Sequence, residues 1–274
     1  MSKLDLLAFN VKNSFEGEKF EKALNWLPKN EHASILRYKF DKDRHLALAN
    51  RLLRRHYFSN ELNISWFDLE FDRLPAGKPI LKNAKSKNYD FNTSHEGDWV
   101  IFGCTKDMKI GVDAVVIDKP KSGSIDSFIK SFSPQFTQNE MQLIINHDNE
   151  DSRLETFYQF WGCKESYTKA VGLGLSLDLS KLEFLNEEKK IDISFEGNKL
   201  NSWLFHISYL DPVTLAVICC GYDESHRKLD DDIETLAQST LLLGQCLRNI
   251  NQTKDIFTPI TFEDIENNKW ILRT

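Results

Sequence analysis

The spacing of apolar and polar residues predicts an N-terminal half that mixes helices and strands. Residues 1–12 have the pattern of an opening strand, and residues 18–27 have the pattern of an amphipathic helix that Pro28 ends. The apolar positions after Asn30 predict two further helices, and residues 67–72 alternate as a half-buried strand does. The pattern assigns most of the arginines on the second of these helices to a solvated face: Arg44, Arg51, Arg54 and Arg55.

A similar mixture is predicted further along the chain. A polar loop over residues 118–133 leads into a short helix, and another helix follows at residues 139–147. Residues 157–172 predict an amphipathic helix that ends in a glycine cap. Four strands are expected after this helix, near residues 181–185, 191–195, 203–209 and 214–220.

The composition changes after Gly221. Residues 223–232 are charged, residues 233–250 have helical apolar spacing, and residues 256–262 predict a short strand. This tail contains no catalytic signal, so we expect it to pack against the rest of the protein.

Composition and charge exclude several classes of protein. The 274 residues are 41% hydrophobic and 28% charged, which suits one large domain or two small ones with a buried core. No apolar run reaches the roughly 18 residues of a membrane span, and Asp5 interrupts the apolar start. We therefore expect a cytoplasmic protein without a membrane segment. The net charge of −6 argues against nucleic-acid binding.

The cysteines indicate reduced thiols. They are five, an odd number, and they are scattered through mostly apolar segments without the spacing of a zinc site. We expect neither a disulfide framework nor zinc from these residues: Cys104, Cys163, Cys219, Cys220 and Cys246.

The helix over residues 157–172 carries candidate chemistry. Glu165 and Lys169 are four residues apart, so an acid and a base share one edge of the helix. Such a pair also stabilises ordinary exposed helices by about 0.2–0.5 kcal/mol, so it is weak evidence alone. Lys164 adds a second ammonium group.

Two upstream segments add polar groups next to predicted strands. Asp113 interrupts an otherwise apolar strand, where a lone buried carboxylate requires a cation. Ser94, His95 and Glu96 lie in a polar turn at the start of another apolar strand, residues 100–105.

Three motifs in this order resemble those of the Sfp-type 4′-phosphopantetheinyl transferases. They are Phe-Asn-x-Ser-His-x-Gly at residues 91–97, Gly-x-Asp at 111–113, and Trp-x-x-Lys-Glu-Ser-Tyr-x-Lys at 161–169, with Ala-Gly-Lys-Pro at 76–79 before them. The resemblance covers roughly residues 28–220. It is closest to the eukaryotic branch that activates aminoadipate reductase, also called aminoadipate-semialdehyde dehydrogenase.

The resemblance implies an α+β fold, a pseudo-dimer of two similar halves with the active site in the cleft between them. It implies a coenzyme A-binding N-terminal half at residues 1–108 and a half with the metal and catalytic residues at 109–221. The remaining residues, 222–274, would form a tail that packs on the core. A pseudo-dimer already contains both sides of its cleft, so we expect a monomer.

The activity implied by the resemblance is that of a holo-[acyl-carrier-protein] synthase. The enzyme moves 4′-phosphopantetheine from coenzyme A to a serine of an acyl or peptidyl carrier domain, with Mg²⁺, and releases 3′,5′-ADP. Asp113 and Glu165 would hold the metal, Glu165 would also act as general base, and Lys169 would neutralise the diphosphate. The carrier could be aminoadipate reductase in lysine biosynthesis, a fatty-acid synthase or a secondary-metabolite synthase.

The resemblance also implies contacts to coenzyme A. They would come from Gly77, Lys78, Ser94, His95, Lys164 and Lys169, with Lys29, His32 and Arg37 as further candidates. Where bacterial members often carry a third metal-binding carboxylate, this sequence has Val115. Water or Glu96 would then complete the metal site. A carrier domain would dock on Lys164, Lys169 and Lys181 together with residues 171–175.

Two other functions remain open from the sequence. One is a magnesium-dependent phosphohydrolase that acts on coenzyme A-like substrates through Asp113 and Glu165. The other is a non-catalytic module that binds coenzyme A or another protein. The oxygen ligands do not separate Mg²⁺ from Mn²⁺.

Overall fold

The N-terminal half combines three helices with strands that belong to two sheets. The computed structural model describes residues 3–82, 89–187, 190–222 and 256–268. The elements before the middle of the chain are β1 (Leu4–Asn10), α1 (Lys19–Leu24), α2 (Lys29–Leu36), α3 (Asp41–Leu62), β2 (Phe71–Arg73), β3 (Pro79–Leu81), β4 (Tyr89–Glu96) and β5 (Trp99–Lys106).

The C-terminal half has three helices and six strands, and a short final strand and helix follow. These elements are β6 (Lys109–Val116), α4 (Ile125–Ser131), α5 (Gln138–Ile145), α6 (Glu150–Val171), β7 (Leu182–Glu187), β8 (Lys190–Phe195), β9 (Asn198–Lys199), β10 (Trp203–Asp211), β11 (Thr214–Gly221), β12 (Thr258–Pro259) and α7 (Phe262–Glu266).

Most predicted elements are present, and three predictions were wrong. Ser94, His95 and Glu96 lie in strand β4, paired with β5, and not in a turn. Residues 67–72 are not a strand, because a 3₁₀ turn over Trp66–Asp68 begins at a Ser65 cap and β2 starts only at Phe71. The strand expected at 256–262 is limited to Thr258–Pro259, and a capping box then starts α7. The predicted helix at 233–250 and Cys246 lie outside the described residues.

Two sheets organise the molecule. The first has the strand order β12-β1-β5-β4, and the second has the order β10-β11-β6. Helix α3 packs on the first sheet, where Phe58, Phe91 and Phe102 form a buried aromatic cluster. Helix α6 packs on β6 and β11 of the second sheet. Strands β4 and β6, which supply the polar residues of the predicted site, are the sheet edges that face each other.

Glycines allow α6 to lie directly on β6. A Cβ atom at Gly111 would lie 1.8 Å from the Ser166 carbonyl oxygen and 2.6 Å from the Ala170 nitrogen. The helix begins at the Asn149 cap and ends at Gly172, whose φ of +70° is the left-handed conformation of a glycine cap. The last two turns of α6, with Glu165 and Lys169, are therefore held against the strand that carries Asp113.

The described part of the tail packs on the N-terminal half. Strand β12 runs parallel to β1, and Phe262 and Ile265 are buried in the core formed by α3 and the first sheet. The division at residues 108 and 221 stays a prediction. No helix within the described ranges has the length and apolar character needed to cross a membrane. Four of the cysteines are buried and form no disulfide among the described residues: Cys104, Cys163, Cys219 and Cys220.

Candidate active site

Asp113 lies at the junction of the two halves and has the cation that its apolar strand requires. The buried carboxylate forms an ion pair with Lys169 of α6. Ser94 of β4 donates a hydrogen bond of 3.1 Å to Asp113 Oδ1, and Lys169 Nζ donates one of 3.0 Å to Ser94 Oγ. Burial raises the pKa of Asp113, while Lys169 and Ser94 act in the opposite direction. Three elements thus bring these residues together.

Two more carboxylates lie near Asp113. Glu165 is one turn before Lys169 on α6 and lines the cleft, and its pKa is raised by burial and by Asp113. Glu96 ends β4 and accepts a hydrogen bond of 3.2 Å from the Val116 amide. Burial and Asp113 also raise the pKa of Glu96. Asp113 therefore acts electrostatically on both Glu165 and Glu96.

A cleft of about 500 Å³ opens beside these residues and is lined by both halves of the chain. Cations outnumber acids on its walls. The charged and imidazole side chains that line it are Arg37, Arg51, Arg54, Arg73, Lys78, His95, Glu165 and Lys169. Burial and Lys169 lower the pKa of His95. The surplus of positive charge suits an anionic ligand.

The arginines of α3 are mostly buried, so the prediction of a solvated face was wrong for three of them. Arg51, Arg54 and Arg55 all contact the carboxylate of Glu31 on α2. One carboxylate cannot neutralise three guanidinium groups, and burial lowers the pKa of Arg54 to about 10. Arg44 is the most exposed of the four arginines and pairs with its neighbour Asp41.

The ammonium group of Lys78 is bound within the protein. It pairs with Asp90 Oδ2 at 2.5 Å and donates to the carbonyl oxygens of Ile110 at 3.1 Å and Ala170 at 2.8 Å. Lys78 thereby ties the N-terminal half to β6 and α6, and it also lines the cleft. Gly77, which precedes it, adopts a φ of +93° in the turn before β3 and lines the same wall.

The structure contradicts the prediction that Lys164 contacts coenzyme A. Its side chain is fully buried, away from the cleft, and forms an ion pair of 2.8 Å with Glu140 of α5. It also donates to the carbonyl oxygens of Leu179 at 2.9 Å and Leu182 at 2.5 Å. Adjacent residues on a helix point in different directions, so Lys164 faces the core while Glu165 faces the cleft.

Of the other residues predicted to contact coenzyme A or the carrier, some line the cleft and others do not. Arg37 lines the cleft, whereas the ring nitrogen of His32 is hydrogen bonded to the Leu27 carbonyl and Lys29 is not among the lining residues. Val115 is buried. Lys181 pairs with Glu196 on the surface, so the proposed carrier patch loses both Lys164 and Lys181 as free cations.

The donor set fits a magnesium ion that is shared with a phosphate ligand. Among the residues that the structure describes, no group of three His, Cys, Asp or Glu side chains forms a ready metal cage. Mg²⁺ commonly binds through one or two carboxylates plus phosphate oxygens and water. Asp113 and Glu165 supply the two carboxylates, and burial raises the pKa of each.

Sequence reasoning missed several residues of the cleft wall. Arg51, Arg54 and Arg73 line it, and so do Asn92 and Thr168. The spacing of Arg51 and Arg54, three residues apart on one helix, could have indicated a shared face. No local pattern reveals Arg73, because the fold brings its strand to the cleft.

Comparison with known proteins agrees with this geometry. Residues 14–107 match the family model described as 4′-phosphopantetheinyl transferase, N-terminal, and residues 109–219 match that of the 4′-phosphopantetheinyl transferase superfamily. An L-aminoadipate-semialdehyde dehydrogenase-phosphopantetheinyl transferase of Xenopus laevis is 30% identical over 252 residues, which cover 88% of this chain and 82% of that protein. The protein of the same description from Homo sapiens is 30% identical, with coverages of 85% and 79%. The 4′-phosphopantetheinyl transferase Sfp of Bacillus subtilis is 26% identical, with coverages of 82% and 94%.

The fold and the site define a two-part α+β transferase. The chain belongs to the 4′-phosphopantetheinyl transferase superfamily. The family, the fold and the transferase activity expected from the three motifs are thereby confirmed.

Proposed function

We propose that this chain transfers the 4′-phosphopantetheine of coenzyme A to a serine of a carrier domain, with Mg²⁺, inside the cleft between its halves. The observation that carries this proposal is the contact of Asp113, Lys169 and Ser94 beside a cation-lined cleft. Coenzyme A carries a diphosphate and a 3′-phosphate, and both need positive charge around them.

The two phosphate groups would meet different parts of the cleft. Arg37, Arg51 and Arg54 lie on the N-terminal wall and would bind the 3′-phosphate, with His95 nearby. Lys169 lies next to Asp113 and Glu165 and would bind the diphosphate. Gly77 and the aliphatic part of Lys78 line the same wall. They would make van der Waals contacts to the nucleotide, because the Lys78 ammonium is already bound within the protein.

In the reaction, the serine oxygen forms a bond to the phosphorus of phosphopantetheine. The bond from that phosphorus to the bridging oxygen breaks, and 3′,5′-ADP leaves with the bond electrons. Lys169 would stabilise the charge that develops on the leaving phosphate. Mg²⁺ would supply further neutralisation of the diphosphate.

Glu165 would take the serine proton. Its position on the cleft wall gives it access to a substrate. The same carboxylate and Asp113 would hold Mg²⁺, and Glu96 or water would complete its ligands. Because Glu96 already accepts the Val116 amide with one oxygen, only its other oxygen is available for this role.

The identity of the carrier protein is suggested only by the names of the related proteins. The vertebrate relatives carry the name of L-aminoadipate-semialdehyde dehydrogenase, which makes the carrier domain of such an enzyme the first acceptor to test. The cleft takes its lining from both halves of one chain, so we propose that a monomer is active.

The test is incubation of the protein with coenzyme A, Mg²⁺ and an apo-carrier domain. Intact-protein mass spectrometry should show a carrier that has gained one phosphopantetheine, and chromatography should show an equal amount of 3′,5′-ADP. Release of phosphopantetheine without a carrier would instead indicate a phosphohydrolase. Coenzyme A binding without turnover on any carrier would indicate a non-catalytic module.

A further inference from the structure

Side chains join the two sheets along their facing edges. Strand β4 ends the first sheet, and strand β6 ends the second. Backbone amides on an edge strand need partners when they are buried, and here side chains of β4 supply them. We call this row of bonds the seam. It consists of Ile110 N to Asp90 Oδ2 (2.7 Å), Val112 N to Asn92 Oδ1 (3.0 Å) and Val116 N to Glu96 Oε2 (3.2 Å).

The seam is regular except at the proposed active site. Each of its three bonds joins residues 20 positions apart, and alternate residues of both strands take part. The remaining alternate position on β4 is Ser94. Its hydroxyl binds the side chains of Asp113 and Lys169, at 3.1 Å and 3.0 Å. At the charged residues, contacts between side chains therefore replace the bonds between side chain and backbone that form the seam.

Asn92 occupies the position of the seam next to this interruption. Its buried amide oxygen accepts from Val112, the residue immediately before Asp113. Of the three acceptors, Asn92 is the neutral one, whereas Asp90 has Lys78 as its counter-ion. A neutral acceptor holds the strand without placing another negative charge beside Asp113 and a phosphate ligand.

We infer that Asn92 is a positioning residue that holds Asp113 in place for the metal and the diphosphate. This inference rests on the proposed function. Losing the bond removes the support that β4 gives to Val112, although β6 stays paired with β11. Loss of the support of a metal ligand commonly costs about 10–100-fold in metal affinity or activity. Asn92 also lines the cleft, but the arginines proposed to bind the 3′-phosphate lie on α3 and keep their contacts with Glu31. We therefore expect the bond to Val112 to matter more for the metal site than for capture of coenzyme A.

The experiment compares Asn92→Ala with a control that loses a buried hydrogen bond elsewhere. Thr105→Val removes the bond of 2.8 Å from the Thr105 hydroxyl to the Met108 carbonyl, outside the cleft. For each variant we would measure Tm, kcat, the KM for coenzyme A, and Mn²⁺ binding by electron paramagnetic resonance in the presence of coenzyme A. Mn²⁺ serves as a probe because it accepts the same oxygen ligands as Mg²⁺.

For Asn92→Ala we expect kcat to fall and the Kd for Mn²⁺ to rise, each by about tenfold or more, with the KM for coenzyme A within about twofold. Thr105→Val should lower Tm and leave the other three quantities unchanged. If Asn92→Ala does not fold, Asn92→Ser, whose hydroxyl is too short to reach Val112, replaces it with the same expectations.

Two outcomes would overturn the inference. One is a folded Asn92 variant with the kcat and Mn²⁺ affinity of the parent protein. The other is a higher KM for coenzyme A with unchanged Mn²⁺ binding, which would make Asn92 a substrate contact. Either result leaves the proposed function intact as long as the parent protein modifies a carrier, whereas failure of the parent protein to do so would remove the proposed function itself.

Discussion

The carboxylate of Asp113 and the ammonium of Lys169 form an ion pair across 56 positions of sequence. Asp113 comes from an edge strand and Lys169 from the last turn of α6. Gly111 allows this pairing because its missing side chain lets the helix backbone touch the strand. The ion pair therefore depends on a packing contact two residues away from the carboxylate.

Lys169 should be needed for the chemical step. Because its ammonium neutralises Asp113 and would face the diphosphate, Lys169→Ala should lower kcat by about 10²–10³-fold while the protein remains folded with a lower Tm. Lys169→Arg keeps the charge with a different shape and should retain more activity than the alanine variant. Single-turnover assays with a carrier domain measure both. Full turnover by Lys169→Ala would exclude the role given to this residue.

Glu165 should reduce stability at neutral pH. In the folded protein, burial and Asp113 raise the pKa of Glu165 above its value in the unfolded chain. Below the unfolded pKa the carboxyl is protonated in both states and costs no stability. As the pH rises through the folded pKa, the ionised carboxylate lowers the stability of the folded protein. Glu165→Gln, which cannot ionise, should therefore raise Tm by about 2 °C at neutral pH. The gain should vanish near about pH 4, where glutamate is also protonated.

Thermal melts of the parent protein and Glu165→Gln across this pH range check the sign. The same variant should lack transferase activity, since the amide cannot accept the serine proton. A Tm that falls at neutral pH and is unchanged in acid would mean that Glu165 is stabilised as an anion in the ligand-free protein.

Lys164 and Glu140 should act on stability rather than on coenzyme A binding. Both side chains are fully buried, so Lys164→Met leaves Glu140 without its cation and should cost about 3–5 kcal/mol in the free energy of unfolding. The double variant Lys164→Met/Glu140→Gln should recover part of this loss. Urea denaturation measures both. A stable Lys164→Met with a raised KM for coenzyme A would return Lys164 to the binding site.

Gly111 and Gly162 should differ in their tolerance of a methyl group. The Cβ of Gly111→Ala would collide with the backbone of α6, whereas that of Gly162→Ala would meet the Val217 side chain at 2.6 Å. Backbone cannot rotate away, so Gly111→Ala should lose about 3 kcal/mol or more and most of its activity. Gly162→Ala should lose less of both. Equal losses in urea denaturation and carrier assays would show that α6 moves freely over β6.

The sequence was informative where chemistry and local pattern coincide. A carboxylate in an apolar strand required a cation, and the structure supplies Lys169. The spacing of Glu165 and Lys169 placed them on one edge of a helix, and both line the cleft. The motif order also led to the correct family.

The sequence failed where a side chain's partner lies on a distant element. Lys164 was assigned to coenzyme A on the family resemblance, but its partner Glu140 is on another helix. The arginines of α3 were assigned to solvent because Glu31, which gathers them, has no pattern that links it to α3. Such pairings depend on how helices pack, which the local spacing of residues does not encode.

The most direct test of the central claim is the mass of an apo-carrier domain after incubation with coenzyme A, Mg²⁺ and either the parent protein or Asp113→Asn. We expect the parent protein to add one phosphopantetheine to each carrier, and we expect Asp113→Asn, whose amide neither pairs with Lys169 nor holds Mg²⁺, to leave the carrier unmodified. Equal modification by the two proteins would contradict the claim that transfer takes place at the Asp113–Lys169 pair.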